Sequence, residues 1–170
     1  TSGMAVAMRN TQNSTSMLQT AEGALDEVSN MLVRMKDLAT QAADQSSTQA
    51  DKDAMQLEYD ALGTELGNVL KNTTFGGANL LVGGTIASSM KFQIGASSTE
   101  TMTVSLATDV TAVATDVGAA TSNYTTAGTG TEVASGTAAT ASIAKLDTAL
   151  ASVGKVRSGL GAAANRLEHV

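Results

Sequence analysis

The feature that most constrains this chain is a long stretch without a helix-breaking residue. The 170-residue sequence contains no proline, and over residues 4–43 only Gly23 interrupts a run of good or neutral helix formers. At about 1.5 Å per residue, such a run spans roughly 60 Å. It predicts one helix far longer than the three turns usual in globular domains, and a rod built around it.

Apolar residues in this run lie on one face of the predicted helix. They recur at alternating steps of three and four, which is the spacing of a seam between packed helices. The seam consists of Ala21, Leu25, Val28, Leu32, Met35, Leu38 or Ala39, and Ala42. The opposite face is polar, so partner helices are expected on the apolar side only.

A second helix is predicted over residues 48–72, with Ser47 or Thr48 as its cap. Its apolar stripe consists of Met55, Leu62, Leu66 and Val69, broadened by Leu57 and Ala61. The short polar connection makes the two helices antiparallel, so that they bury a shared seam. Gly63 and Gly67 weaken the helical pattern modestly.

The C-terminal residues 140–170 predict a third long helix, with the cleanest heptad-like seam in the chain. That seam consists of Ile143, Leu146, Leu150, Val153, Val156, Leu160, Ala164 and Leu167.

Residues 90–106 alternate apolar and polar side chains around a turn at 95–99, which predicts a β-hairpin. Its apolar positions are Met90, Phe92, Ile94, Met102, Val104 and Leu106.

Residues 108–142 carry the weakest pattern. Thr, Ser, Ala and Gly supply 26 of these 35 residues, and three are charged. This composition is compatible with loops, weak strands or a flexible outer excursion, while Val110, Val113 and Val117 allow a short helix at its start.

The predicted class of the whole chain is mainly α: a rod-like, antiparallel coiled-coil-like bundle of three main helices, with a β-hairpin and a small variable excursion.

Composition argues against several classes of function. The formal charge is -6 and the pI is near 4.6, which disfavours a nucleic-acid partner because phosphates require a basic surface. Without cysteine, neither disulfides nor thiolate metal sites can form. No apolar run approaches a membrane span, and the amino end lacks the pattern of a secretory signal.

No catalytic or metal-binding constellation is recognisable in the sequence. His169 is the single histidine, so neither a Ser-His-Asp set nor a common transition-metal set can be assembled. The carboxylate pairs Asp51 with Asp53 and Asp109 with Asp116 lack the glycine turn and final glutamate of a calcium loop. We therefore expect no enzymatic activity, no cofactor and no metal.

Four strings in this sequence resemble bacterial flagellin, in the same order. In the amino half they are TAEGAL, LVRMKDLATQAAD and TTFGGANLL; in the carboxyl half the string is ALASVGKVRSGLGAAANRLEHV. The resemblance covers residues 1–106 and 143–170. It implies an inner rod in which residues 1–107 pair lengthwise with residues 143–170, while residues 108–142 form a short variable region.

The resemblance implies a structural function, as a subunit of the flagellar filament that serves motility. Such a protein is extracellular and leaves the cell through the flagellar type III apparatus without a cleaved signal. The implied partners are other flagellin subunits, the export chaperone, the filament cap and the vertebrate Toll-like receptor for flagellin. Flagellins usually carry further helical segments at both ends, so the chain is interpreted as a truncated fragment that is monomeric.

Three rival interpretations remain open. A hook–filament junction protein shares flagellin-like ends but does not polymerise. A flagellin with a metalloprotease insertion would be an enzyme, although this chain has no HExxH motif. A free-standing coiled-coil adaptor would not explain the ordered flagellin-like strings.

The resemblance also places a receptor-recognition motif on residues 32–41. Arg34, Leu38 and Glu58 match the family's key contact positions, with Arg34 and Glu58 meeting across the helix pair and Leu38 as an exposed apolar anchor. The predicted receptor and inter-subunit interface comprises Leu32, Arg34, Lys36, Leu38, Gln41 and Glu58. Lys36 stands where receptor-active members often have arginine, which predicts lower affinity. The alternative is an ordinary solvated face with a surface salt bridge.

Two kinds of glycan attachment are conceivable. The Ser/Thr-rich region 108–142 is either a site of O-linked glycans, as in many flagellins, or an unmodified loop. Asn13, Asn72 and Asn123 lie in N-x-Ser/Thr triplets, which arise easily by chance.

Overall fold

The computed structural model describes residues 2–169, which form a mainly helical rod. The helices are α1 (Ser2–Ala43), α2 (Gln49–Asn72), α3 (Ala107–Ala120) and α4 (Gly136–Glu168). Between α2 and α3 lie two antiparallel strand pairs: β1 (Thr74–Phe75) with β2 (Ala78–Asn79), and β3 (Met90–Gln93) with β4 (Thr101–Val104). The predicted class, with three long helices and a β-hairpin, is confirmed.

The two longest helices form the body of the rod. α4 runs antiparallel to α1, as shown by two ion pairs that join them: Lys36 with Asp147 at 2.7 Å, and Asp26 with Arg157 at 2.8 Å. Every residue of the predicted α1 seam is buried, and the predicted α4 seam is buried except for the half-buried Ile143 and Leu150. Since each buried Leu or Val stabilises by roughly 1.5–3 kcal/mol, these seams are a large source of stability.

α2 begins at a capping box, with Thr48 as the N-cap. The Thr48 hydroxyl accepts from the Asp51 N–H at 3.1 Å, and the Asp51 carboxylate accepts from the Thr48 N–H at 3.1 Å. Both bonds satisfy N–H groups that the start of a helix leaves unpaired. The pKa of the Asp51 carboxyl lies below its ordinary value, chiefly because the ionised form accepts this backbone N–H.

The capping box has a testable pH dependence. A carboxyl whose pKa is lower in the folded than in the unfolded chain stabilises the fold at pH values above the unfolded-state pKa, here 3.8. This contribution is lost as the pH falls through the folded-state pKa. We expect Asp51→Asn to lower the melting temperature at neutral pH, and the deficit to shrink as the pH approaches about 2. Thermal unfolding measures both. Asp53→Asn, on the same turn, is the control, and a deficit independent of pH would contradict an ionic origin.

After α2 the chain reverses direction through glycines. Gly76 and Gly77 have φ angles of 60° and 83°, a region that residues with a side chain rarely adopt. The segment that follows returns Leu80, Leu81 and Ile86 to the core, each no more than 1% exposed. The prediction that the helix ends at the glycine-rich string is confirmed.

The β-hairpin lies against the amino-terminal part of α1. Met90 of β3 is opposite Val104 of β4, and Phe92 is opposite Met102. All four side chains are buried, because alternate residues of a strand point to the same face. The predicted alternation is confirmed, and the hairpin contacts α1 near one end of the rod.

Much of region 108–142 is packed against the rod. Val110, Val113 and Val117 are buried on one side of α3, which packs on α4, so the short helix that their spacing allowed exists. Residues 121–135, here called the strap, begin with the 3-10 turn Ser122–Tyr124 and contact α2. The buried residues of the strap are Thr121, Asn123, Tyr124, Gly130 and Val133. The strap is therefore packed against α2 through these buried residues, while its residues 125–129 are exposed.

α2 buries a side that its apolar pattern did not predict. Leu66 is buried and the other three residues of the predicted stripe are half-buried against the core. Leu57 and Ala61 are exposed, so the prediction that they broaden the stripe is wrong. The strap contacts α2 on another side, whose buried residues include Gln56, Tyr59, Asp60, Gly63 and Gly67. Polar residues can be buried there because the strap supplies their hydrogen-bond partners.

Candidate interaction surface

An ion pair joins α1 and α2 on their outer side. Arg34 donates from Nε to Glu58 Oε2 at 2.8 Å and from Nη2 to Glu58 Oε1 at 3.1 Å. This two-point geometry orients both side chains, which remain 49% and 46% exposed. The pKa of the Arg34 guanidinium is raised, first by the hydrogen bond to Glu58 and then by its charge. The sequence-based prediction that these two residues meet agrees with this geometry.

Two exposed apolar side chains flank the Arg34–Glu58 pair. Val33 precedes Arg34 and is 47% exposed; Leu57 precedes Glu58 and is 67% exposed. One residue turns a helix by about 100°, and in antiparallel helices this turn has opposite senses when viewed from one side. By this geometry the two side chains lie either both between the helices or both outside them, and their exposure places them outside, one on each side of the ion pair.

Negative charge surrounds the ion pair. Asp37 lies three residues after Arg34, and Glu65 lies seven residues after Glu58, so both share the outer side. Both are exposed. We call this surface the α1–α2 face; it comprises Val33, Arg34, Asp37, Leu57, Glu58 and Glu65. Since Arg34 and Glu58 neutralise each other, the face is acidic.

The expected exposure of Leu38 is wrong. Leu38 is 3% exposed and Leu32 is fully buried, because both belong to the seam that packs against the neighbouring helices. Lys36 points to the other side of α1, where it pairs with Asp147 of α4. Of the six predicted interface residues, Arg34, Gln41 and Glu58 are exposed. The interface role of all six stays a prediction.

A buried carboxylate binds the strap to α2. Asp60 is 8% exposed. It accepts from the Gly130 N–H at 3.1 Å, from Asn123 Nδ2 at 2.9 Å and from Gln56 Nε2 at 2.8 Å. Asn123 and Gly130 stand at the two ends of the exposed loop 125–129, so one side chain closes the base of that loop. We call this arrangement the Asp60 clasp.

The remaining polar atoms around the clasp are also paired. Gln56 Oε1 accepts from the Val133 N–H at 2.7 Å, and Gln56 Nε2 donates also to Glu132 Oε1 at 3.1 Å. The Tyr59 hydroxyl donates to the Ala120 carbonyl at 2.5 Å. Burial raises the pKa of Tyr59, and the charge of Glu132 adds to this effect. A satisfied polar network of this kind specifies how the strap sits on α2.

Two glycines of α2 allow the strap to approach the helix. A Cβ at Gly63 would overlap the Thr121 hydroxyl, and one at Gly67 would lie 3.4 Å from the Tyr124 carbonyl. These glycines follow Asp60 by three and seven residues, so they share its side of α2. Sequence reasoning missed the clasp, and this spacing of glycines after a helical carboxylate was the available signal.

Comparison with known proteins decides the family. The family model for the bacterial flagellin N-terminal helical region matches residues 1–86. The chain belongs to the bacterial flagellin family. Among curated flagellins, polar flagellin F of Vibrio parahaemolyticus is 46% identical over 105 residues, which are 62% of this chain and 27% of the relative. Flagellin C of Vibrio cholerae is 46% identical over 104 residues, or 61% of this chain and 27% of the relative.

A solved flagellin has the same fold. The crystal structure of Bacillus cereus flagellin matches with a TM-score of 0.75 and 31% identity, covering 95% of this chain and 86% of that one. By contrast, the aligned part spans only 27% of the length of the curated Vibrio flagellins. The rod described above is therefore a flagellin fold.

The other candidate groups of this flagellin chain have structural partners. Asp109 pairs with Lys155 at 3.4 Å, and Asp116 accepts from the Ser152 hydroxyl. Within residues 2–169, no three acidic, histidine or cysteine side chains are grouped closely enough to hold a metal ion. None of the helices in that range combines the length and apolarity that crossing a bilayer requires. Asn123 is buried in the clasp, which makes its glycosylation triplet inaccessible in the folded chain.

Proposed function

We propose that this chain forms the inner rod of a flagellar filament subunit and that its α1–α2 face is buried against a neighbouring subunit. The main support is the family match over residues 1–86, which spans α1, α2 and the glycine-rich turn that follows them. The face adds a physical reason, because apolar side chains beside a fixed ion pair on rigid helices suit a repeated protein contact. The function is mechanical, and motility is the process it serves.

The same proposal gives the location and partners of the whole protein. It is extracellular, as part of the bacterial flagellum, and it leaves the cell through the flagellar type III apparatus. Other flagellin subunits, the export chaperone and the filament cap are its partners. Family membership is the observation that supports these assignments.

We also propose the α1–α2 face as the surface that the vertebrate Toll-like receptor for flagellin recognises. The supporting observation is the Arg34–Glu58 pair, whose two hydrogen bonds hold the guanidinium and carboxylate in a fixed, exposed arrangement. Polar groups that are already oriented lose little entropy on binding. A neighbouring subunit and the receptor would compete for this face, so recognition requires free subunits.

Assembly of a chimera tests the filament proposal. In a full-length flagellin, residues 1–170 of this chain replace the corresponding segment, and electron microscopy follows salt-induced assembly. Long helical filaments are expected. Short plugs or no polymer, under conditions in which the parent flagellin assembles, would contradict the proposal and favour a hook–filament junction protein.

Substitution of Arg34 tests the receptor proposal. We expect Arg34→Ala in the chimera to lower receptor activation about tenfold, with an unchanged unfolding midpoint because the pair is exposed. Arg34→Lys should be intermediate, because lysine lacks the two-point fork. Reporter-cell dose curves and thermal unfolding measure the two effects. Lys155→Ala, which breaks an ion pair between α3 and α4 with an exposed lysine, is the control. Activity of Arg34→Ala equal to that of the parent would contradict the assignment.

A further inference from the structure

The strap is held to α2 mainly by polar contacts. Its large apolar side chains are Tyr124 and Val133, and both are buried. The other attachments are the hydrogen bonds of Asp60 and Gln56 described above, and Lys71 Nζ, which lies 4.8 Å from the centre of the Tyr124 ring. The α1–α4 seam, by contrast, is a long row of buried apolar side chains. A segment with few buried apolar contacts opens at a lower cost in free energy than such a core.

The side of α2 beneath the strap tolerates contact with water. Its buried residues include Gln56, Tyr59, Asp60, Gly63 and Gly67. Two of these carry polar groups that water can satisfy, two have no side chain, and the one large residue ends in a hydroxyl. The apolar residues of α2 belong instead to the core of the rod. Opening the strap therefore exposes little apolar surface of α2 and leaves the core contacts of that helix in place.

The helices on either side of the strap have caps of their own. At the end of α3, the Thr121 N–H donates to the Val117 carbonyl at 3.0 Å. At the start of α4, the Ser135 hydroxyl accepts from the Ala138 N–H at 3.1 Å. Neither cap involves α2. Both helices can therefore keep their end groups satisfied when the strap leaves α2.

The closed strap also holds two carboxylates close together. Gln56 Nε2 donates to Asp60 Oδ1 at 2.8 Å and to Glu132 Oε1 at 3.1 Å, so one amide nitrogen contacts both. Neither carboxylate takes part in the four ion pairs found within residues 2–169. Repulsion between the two negative charges offsets part of the hydrogen-bond energy. This repulsion brings the closed and open strap closer in free energy.

From these contacts we infer that the strap is a latch, which opens and closes on α2 as one unit while the four helices stay folded. The open state is a second native conformation of the subunit. In it, residues 121–135 are a tether between α3 and α4, and the Asp60 side of α2 faces water. The inference concerns the folded chain alone and does not depend on whether the α1–α2 face contacts a neighbouring subunit.

Both tyrosines of this chain lie at the latch, which gives it a reporter. The chain has no tryptophan, and Tyr59 and Tyr124 are buried where α2 meets the strap and the end of α3. Tyrosine fluorescence therefore follows the strap, whereas far-ultraviolet circular dichroism follows the helices. In a denaturant titration of the 170-residue chain, we expect the tyrosine transition at a lower concentration than the helix transition. Coincident transitions would overturn the inference, because they are the mark of a single cooperative unit.

Gly63→Ala should open the latch selectively. A Cβ at Gly63 would overlap the Thr121 hydroxyl and lie 3.2 Å from the Cβ atoms of Thr121 and Asn123, so the strap must move, while alanine favours the helix itself. We expect the amide protons of Gly130 and Val133 to exchange about a hundredfold faster. The tyrosine transition should move to lower denaturant, and the helix transition should stay or rise.

Gly23→Ala is the matched control, since it also replaces a helical glycine but has no atom within 4 Å of the added Cβ. It should leave exchange at Gly130 and Val133 unchanged. If Gly63→Ala lowered the tyrosine and helix transitions equally, the strap would be part of the cooperative rod and the latch would be rejected. Exchange at Gly130 and Val133 as slow in the parent chain as at Val153 in the seam would likewise show that the strap does not open on its own.

Discussion

Replacing Asp60 with alanine is expected to lower the free energy of unfolding by about 3–5 kcal/mol, because it removes the carboxylate that binds the strap. The substitution would leave the Gly130 N–H, the Asn123 amide and part of the Gln56 amide without their acceptor. Each of these donors is buried. A buried donor without a partner retains its full desolvation cost, so the loss exceeds that of one ordinary hydrogen bond.

Denaturant unfolding and hydrogen exchange together measure this effect. The amide protons of Gly130 and Val133 should exchange much faster in Asp60→Ala, since both donate to side chains of the clasp, whereas amides of the α1–α4 seam should change only through the global loss of stability. Asp60→Asn keeps one carbonyl acceptor and should lose less. Glu65→Ala, an exposed carboxylate on the same helix, is the control, with a change within about 0.5 kcal/mol. If Asp60→Ala were as stable as this control, the clasp would not hold the strap.

Replacing Leu38 with alanine is expected to lower the free energy of unfolding by about 2–4 kcal/mol, through lost burial and the cavity left in the seam. Leu38 is 3% exposed. Leu57→Ala is the matched variant, also Leu to Ala within a helix. Because Leu57 is 67% exposed, its replacement should change stability by no more than about 0.5 kcal/mol.

The two leucine variants should therefore separate folding from binding. The free energy of unfolding measured with denaturant should fall only in Leu38→Ala. Leu57→Ala should keep its melting temperature and weaken association between copies. Any loss of receptor activation by Leu38→Ala would follow from disturbed packing of the helix that carries Arg34. Equal stability of both variants would contradict the burial of Leu38, and full association by Leu57→Ala would contradict the proposal that the α1–α2 face is buried against a neighbouring subunit.

The long helices and the hairpin were predictable because their side-chain patterns repeat locally. The steps of three and four in α1 and α4 place apolar residues on one stripe whatever covers it, and all seven expected core positions of α1 are buried. The capping residue Thr48 and the glycine turn after α2 are likewise local signals, since each depends on hydrogen bonds or φ angles within a few residues.

The interaction surface was predictable in part. The resemblance to flagellins correctly brought Arg34 and Glu58 together, although they are 24 residues apart. It did not distinguish the exposed from the buried leucine. The apolar seam of α1 already included Leu38 or Ala39, so the pattern itself allowed the burial of Leu38. The exposure of Leu57 was not visible in the pattern of α2, because it depends on where the neighbouring elements pack on that helix.

The strap and its clasp depended wholly on long-range contacts. Asp60 and Gly130 are 70 residues apart. Gly63 and Gly67 indicate that some segment approaches this side of α2 closely, but they do not identify the segment or the backbone N–H that Asp60 accepts from. Burying a carboxylate is favourable only when such donors are already in place, so its position is a property of the folded chain. Periodic local patterns therefore specified the rod, whereas tertiary packing decided which side of α2 faces the strap and that Leu57 remains exposed.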